Sequence, residues 1–226
     1  MEFFRELAAV NTTGRIVVAG RSLSEQYEFG GPVFDGLFRE HLRSVLGFTN
    51  RDVDEVFRFS RRAVAAALES PTKGLQRQLR NWAEVRHSHC YMCNVPMDFE
   101  ETESHTSFTL EHVWPRAYGG NSIAENLMPA CSACNSNKKR HFATWAMPAV
   151  QSLLLGLSPT PQRLDEIDGS FKFALHYRAA HRFAILNHCS RKNAFLKIGP
   201  WTDIRLRDDD DVADFFNLEN HDPAYF

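Results

Sequence analysis

Two cysteine pairs with the same internal spacing, Cys90/Cys93 and Cys131/Cys134, bracket a stretch that contains Glu111, His112 and Asn126, and Asn135 follows the second pair directly. A pair of thiolates two residues apart can wrap a metal in one backbone knuckle. Two such pairs fill all four positions of a tetrahedral ion, and an ion with no open position is structural. Cys90, Cys93, Cys131 and Cys134 are therefore assigned as zinc ligands. A redox role would call for a thioredoxin-like strand or βαβ setting, which neither pair has. The groups between the knuckles are those that metal-assisted hydrolysis uses. Cutting a phosphodiester needs a deprotonated water, an electrophile for charge growing on the phosphoryl oxygens, and help for the departing oxygen. His112, with an ordinary pKa near ~6.5, can be neutral at pH 7 and take the proton.

The flanking pattern says what must position these groups. Phe108, Leu110 and His112 alternate as in a strand over residues 107–113. Residues 127–130 can pair with it after the loop containing Gly119 and Gly120. Asn135, Lys138, Lys139 and Phe142 fit a helix that begins within the second cysteine pair and ends before Pro148. The order is strand, loop, strand, helix. Glu111 and His112 are neighbours, so a regular strand sends them to opposite faces, and a local bend is needed to aim both at one substrate.

Leu110-Glu111-His112-Val113-Trp114-Pro115, then Gly119-Gly120-Asn121, Glu125-Asn126-Leu127 and Cys131-x-x-Cys134-Asn135-x-x-Lys138 together resemble the HNH endonuclease family, with its ββα-metal motif. His112 and Asn126 are fourteen residues apart, and Asn126 and Asn135 nine, which agrees with that pattern. The resemblance covers about a quarter of the chain. It implies that a bend aims Glu111 and His112 together, that Glu111 and Asn135 hold one Mg²⁺ or Mn²⁺ against the scissile phosphate, and that Asn126 fixes the loop and orients His112. Hard oxygen donors suit such a cation. Glu111 stands where Asp is more frequent, and Asn135 where His often stands. The implied reaction is hydrolysis of DNA leaving a 5′ phosphate, with His112 as general base. Family members of this size occur in bacterial anti-phage defence and restriction, often beside a regulatory ATPase. A zinc-organised module that binds nucleic acid or a protein without turnover is the alternative, and a metal-free thiol redox protein a third.

Outside the motif, residues 35–46 carry apolar positions at helical spacing and stop at Gly47, a suitable left-handed cap. A second helix runs from a cap at Thr49 or Asn50 to Ser70-Pro71, and a shorter one includes Leu75, Leu79 and Trp82. The first 30 residues give a weak pattern in which Arg15 to Ala19 is a candidate strand. After Pro148, residues 150–157 suggest a helix, 159–169 a loop with a short turn, and 171–189 a longer helix. The expected fold is α+β, a small zinc-stapled ββα-metal core (85–145) between mainly helical regions (1–84 and 146–226). His176, His181 and His188 lack metal-ligand spacing and are read as surface or packing residues. His87, His89 and His105 are read as local hydrogen-bonding residues, Trp114 as packing rather than base stacking, and Cys189 as a small apolar residue.

The 226 residues, 43% of them apolar, are enough for a true core. Five cysteines, four in the two pairs, argue for metal rather than a disulfide framework. No apolar run reaches the ~18–20 residues of a membrane span and no signal-peptide order opens the sequence, so the cytoplasm is expected. The net charge of -2 excludes a histone-like, tail-driven nucleic-acid binder. Local charge differs from the total. Asp98, Glu100, Glu101 and Glu103 precede the second cysteine pair, whereas Lys138, Lys139 and Arg140 follow it and, with Arg116, are expected to meet DNA phosphates. Asp208 to Asp211 reads as a solvated acidic loop. The long helical flanks are expected to recognise a partner, a DNA structure or a second copy of the chain.

Overall fold

The computed structural model describes residues 2–136, 156 and 160–201. Four helices come first: α1 (Glu2–Ser24), α2 (Pro32–Ser44), α3 (Asn50–Leu68) and α4 (Lys73–Arg86). The strands β1 (Phe108–His112) and β2 (Leu127–Cys131) follow, then a helix α5 from residue 132 through 136, the last described residue there. Helices α6 (Pro161–Leu186) and α7 (Arg191–Ile198) complete the described chain. The fold is α+β, with a two-stranded antiparallel sheet set among helices. No helix among the described residues is long and apolar enough to cross a membrane.

Local chemistry explains the helix ends. The Thr49 hydroxyl accepts the Asp52 amide and starts α3, and Thr72 does the same for α4 through Leu75. Gly47, at φ 74°, turns the chain out of α2. The candidate strand at Arg15 to Ala19 is instead part of α1: Ile16 and Val17 are buried and Val18 is exposed, because α1 lays one helical face on its neighbours. Its apolar run is a packed helix stripe, which a short window cannot distinguish from a strand.

The loop expected over 159–169 is also helix, since α6 begins at Pro161, where proline's fixed φ suits a first helical position. The short helix α7 falls in a stretch that the sequence pattern left unassigned; Ser190 caps it by accepting the Asn193 amide. The helix suggested over 150–157 and the acidic loop at Asp208 to Asp211 lie outside the described residues, apart from Gly156.

Two buried clusters organise these elements. Ile16, Phe34, Phe38, Leu42, Phe57 and Val64 tie α1, α2 and α3 together. Cys90, Met92, Met97, Val113, Met128 and Ala130 form a second cluster with Ala180, Ala184, Ala194 and Phe195, so α6 and α7 pack directly on the cysteine unit. His176 sits within that packing, 1% exposed, with Nε2 2.8 Å from the Gly199 carbonyl. Cys189 is half-buried against the same cluster.

Candidate functional site

The four cysteine sulfurs come together, all within 4.8 Å of one another. Tetrahedral Zn–S bonds of about 2.3 Å require sulfurs roughly 3.8 Å apart. The Cys93 and Cys131 sulfurs are 3.8 Å apart. The first knuckle closes by backbone bonds from Cys90 to the Val95 carbonyl and from Asn94 to the Cys90 carbonyl, with Asn94 left-handed at φ 61°. In the second, the Cys134 amide donates to the Cys131 sulfur at 3.4 Å as α5 begins. The thiols share their protons unequally: hydrogen bonds from Cys134 first, then Cys90 and Cys93, hold Cys131 far below the ordinary thiol range. Cys134 is pushed far above it, its bond to Cys131 being the largest cause. Ionising all four sulfurs in so small a volume would need a dication to balance them, and the donor set fits zinc.

The antiparallel ladder runs without interruption from Phe108↔Cys131 to His112↔Leu127. No bend occurs within it, so Glu111 and His112 leave opposite faces of β1. The Glu111 carboxylate is 3% exposed and accepts the Tyr91 hydroxyl at 2.7 Å. Burial, reinforced by the Glu111 charge, holds the Tyr91 phenol well above its ordinary value of 10, so the proton stays on Tyr91 and donates. Asn135 reaches the same face of β1. Its Nδ2 donates to Thr109 Oγ1 at 3.1 Å, two residues before Glu111, which turns its carbonyl oxygen away from Thr109. Glu111 and Asn135 thus share a strand face and offer the hard oxygens a divalent cation prefers.

His112 faces the other way, into a contact with the N-terminal helices. Its Nε2 lies 3.0 Å from Ser122 Oγ, and Ser122 Oγ lies 3.0 Å from the carbonyl of Glu69, the C-cap of α3. A carbonyl can only accept, and a serine hydroxyl has one proton. Ser122 therefore donates to Glu69 and accepts from His112, which places the imidazole proton on Nε2 and leaves Nδ1 as the basic nitrogen.

The loop between the strands is built to hold this arrangement. Asn126 Oδ1 accepts the Trp114 amide at 2.7 Å, and its Nδ2 donates to the carbonyls of Trp114 and Asn121 at 3.0 and 2.8 Å. The Asn126 carbonyl accepts the Val113 amide. Gly119, at φ 82°, ends a 3-10 turn (Arg116–Tyr118) with no room for a side chain, since an added Cβ would come within 2.7 Å of Ala63 on α3. At Gly120 an added Cβ would fall 1.8 Å from the Trp114 carbonyl oxygen. Trp114 packs, as expected, with its indole N–H on the Tyr118 carbonyl.

Other expected residues have other occupations. Arg116, expected at phosphates, donates through Nε and Nη2 to the Ala67 carbonyl at 3.2 and 2.6 Å, capping the end of α3. Lys138, Lys139 and Arg140 lie outside the described residues. His89 keeps to a local contact, Nδ1 at 3.2 Å from Ser88 Oγ.

Sequence reasoning did not find Tyr91, Thr109, Ser122 or Arg191. Arg191 borders a cleft of about 300 Å³ beside Trp114, Gly120, Asn121 and Asn126. Ser122 had one available signal, a hydroxyl in the glycine loop ten residues after the histidine. The others depend on which side of β1 the C-terminal helices and the first knuckle cover, which no local spacing encodes.

Against known proteins, the model of the HNH endonuclease family matches residues 90–146, about a quarter of the chain. Neither the curated proteins nor the solved structures give a match. The matched residues span both cysteine knuckles, both strands and the start of α5, so the family match supports reading the segment from Cys90 to Ala146 as an HNH endonuclease domain.

Proposed function

We propose that this chain is a metal-dependent endonuclease that hydrolyses DNA phosphodiester bonds, with zinc as structural metal and one Mg²⁺ or Mn²⁺ for the chemistry. The observation that carries this reading is the His112–Ser122–Glu69 chain within a family-matched segment: it assigns Nε2 as the donor, so that Nδ1 is the nitrogen that would act as general base on a water. Glu111 and Asn135 would hold the cation, which supplies charge stabilisation at the phosphoryl oxygens. Tyr91 keeps the Glu111 carboxylate in place, and Thr109 orients the Asn135 amide. The ladder ends at His112, so a linkage lying across the end of β1 meets the imidazole from one face and the carboxylate side from the other.

Plasmid incubated with purified protein and Mg²⁺ or Mn²⁺ tests this. Nicking is expected, and His112→Ala should lower its rate by roughly 10²–10⁴-fold, the ordinary share of general base catalysis. One observation favours the non-catalytic binding module instead: Glu111 is nearly inaccessible, bonded to Tyr91, and on the strand face opposite His112. Absence of nicking with either metal, together with retained DNA binding, would select the module.

A bacterial defence or restriction context, with a controlling ATPase or a second copy of the chain as partner, extends the proposal by family resemblance. Recovery of the tagged protein from its host without a partner and fully active would remove the ATPase from it.

A further inference from the structure

A second charged feature lies outside the family-matched segment, on the N-terminal helices. Arg39 from α2 and Arg58, Arg61 and Arg62 from α3 line a cleft of about 490 Å³ around the Phe57 ring. This is a local inversion of charge in a chain with 28 acidic and 26 basic side chains.

The four arginines divide into two kinds. Arg39 and Arg61 are fixed. The Arg39 guanidinium lies 3.8 Å from the Phe57 ring centroid and pairs with Asp54, while Arg61 pairs with Asp35 at 3.1 Å and lies 5.8 Å from the Phe57 centroid. Arg58 and Arg62 are exposed, stand one helical turn apart on the same face of α3, and have no ion-pair partner among the described residues. Two cations held beside an aromatic ring, next to two others with no counter-charge among the described residues, form an anion-binding surface rather than a stability device.

The position of the cleft identifies the anion. α3 is the same helix whose C-cap carbonyl, Glu69, accepts Ser122 and through it orients His112. At 1.5 Å rise per residue, Arg62 and Arg58 stand about 10 and 16 Å along the axis from Glu69. Those axial distances match about three to five nucleotides of a strand running along α3 at a rise of about 3.4 Å each. We infer that the arginine cleft on α2 and α3 is a phosphate-anchoring subsite for duplex DNA, on the same helix whose C-cap carbonyl holds Ser122 and through it His112. The inference rests on the proposed nuclease reading for what happens at His112, but the binding it describes needs no turnover.

The test is fluorescence anisotropy of the full-length, zinc-loaded protein with a short labelled duplex, without Mg²⁺ or Mn²⁺, across a salt series. Replacing both free arginines (Arg58→Gln with Arg62→Gln) should weaken binding about tenfold and lower the slope of log K against log salt by about 2, since each phosphate contact contributes about 0.9. Arg58→Lys with Arg62→Lys keeps the charge and should recover most of the affinity, separating lost contacts from lost folding. Unchanged affinity and slope in the Gln pair would overturn the inference, and so would wild-type protein that does not bind duplex. An acidic protein partner at this cleft would give the first of those results. Plasmid nicking separates the two proposals. Cleft-dependent binding without nicking leaves the subsite and removes the nuclease, whereas nicking with cleft-independent binding does the reverse.

Discussion

The N-terminal helices and the cysteine unit reach stability by opposite means. α1, α2 and α3 close on a phenylalanine core in which Phe34 and Phe38 are 0% exposed, with neighbouring ring centroids 5.4 and 6.0 Å apart from Phe34 through Phe38 to Phe57. Apolar burial of that kind needs no ligand. The cysteine unit has a two-stranded sheet of five residues per strand, too little to stand alone in water, and adds four clustered sulfurs to an apolar cluster that α6 and α7 complete. Its cysteine spacing fits metal ligation, and α6 and α7 pack on it. The difference shows how the site is divided: the cysteine unit carries the candidate site residues, and the helix-packed region supplies, from the end of α3, the carbonyls that hold Ser122 and Arg116.

Removing zinc is the strongest way to separate the regions. Structural zinc contributes roughly 10–16 kcal/mol of apparent binding energy in small domains. A strong chelator, or Cys90→Ser, should therefore unfold the β1–β2 unit while the N-terminal helices persist. Limited proteolysis with mass spectrometry reads this directly: early cuts between residues 88 and 131 with α1 to α3 protected. Simultaneous loss of both regions would show that the cysteine unit also holds the helical core together.

The reverse experiment truncates the ring at the centre of the helical core. Phe38→Ala should cost about 3–5 kcal/mol, because a buried ring leaves a cavity that its neighbours fill only in part. The expected outcome is a lower melting temperature with one zinc still bound per chain. Zinc loss in Phe38→Ala would mean that α3 must be in place before the knuckles close.

A smaller effect is expected where the two regions meet. Ser122→Ala removes the hydroxyl between His112 and Glu69 and leaves a carbonyl and an imidazole nitrogen unsatisfied, at a cost of about 1–3 kcal/mol. The rate of nicking should fall about tenfold or more with little change in DNA affinity. Imidazole ¹⁵N spectra should show the Nε2–H tautomer of His112 lost, and Ser122→Thr should restore both. An unaltered tautomer in Ser122→Ala would show that α3 does not orient the base.

The same contrast explains what the sequence disclosed. The metal ligands, both strands and the Asn126 clamp were legible because each depends on residue type at fixed short separations, and α2 and α3 because their caps and apolar stripes are local. The helix over Arg15 to Ala19 was not, since three successive apolar residues fit a strand or a helix until α3 is known to lie beside them. Arg116 illustrates the limit for function: a basic residue after the histidine strand suits phosphate, and only the fold reveals that the end of α3 has taken it. The regular ladder through Glu111 and His112, and the partners Tyr91 and Ser122 that each finds on its own face, are likewise products of long-range packing.

Acid should distinguish the regions most finely, through a histidine of the N-terminal helices, outside the cysteine unit. His41 on α2 has its Nε2 buried without a hydrogen-bond partner among the described residues, and burial first, then the positive charge of Arg15, lowers its pKa below the ordinary 6.5. The folded state therefore binds fewer protons than the unfolded chain once pH drops through 6.5. The stability associated with neutral His41 is complete above that value and declines as the pH falls towards the lowered folded value. Thermal melts should show a small loss for the N-terminal helices on mild acidification, which His41→Gln reduces. Zinc release, governed by protonation of the thiolates, should follow the same pH course in His41→Gln as in the wild type. A shift of zinc release along with the helical melt would mean that the two regions unfold as one.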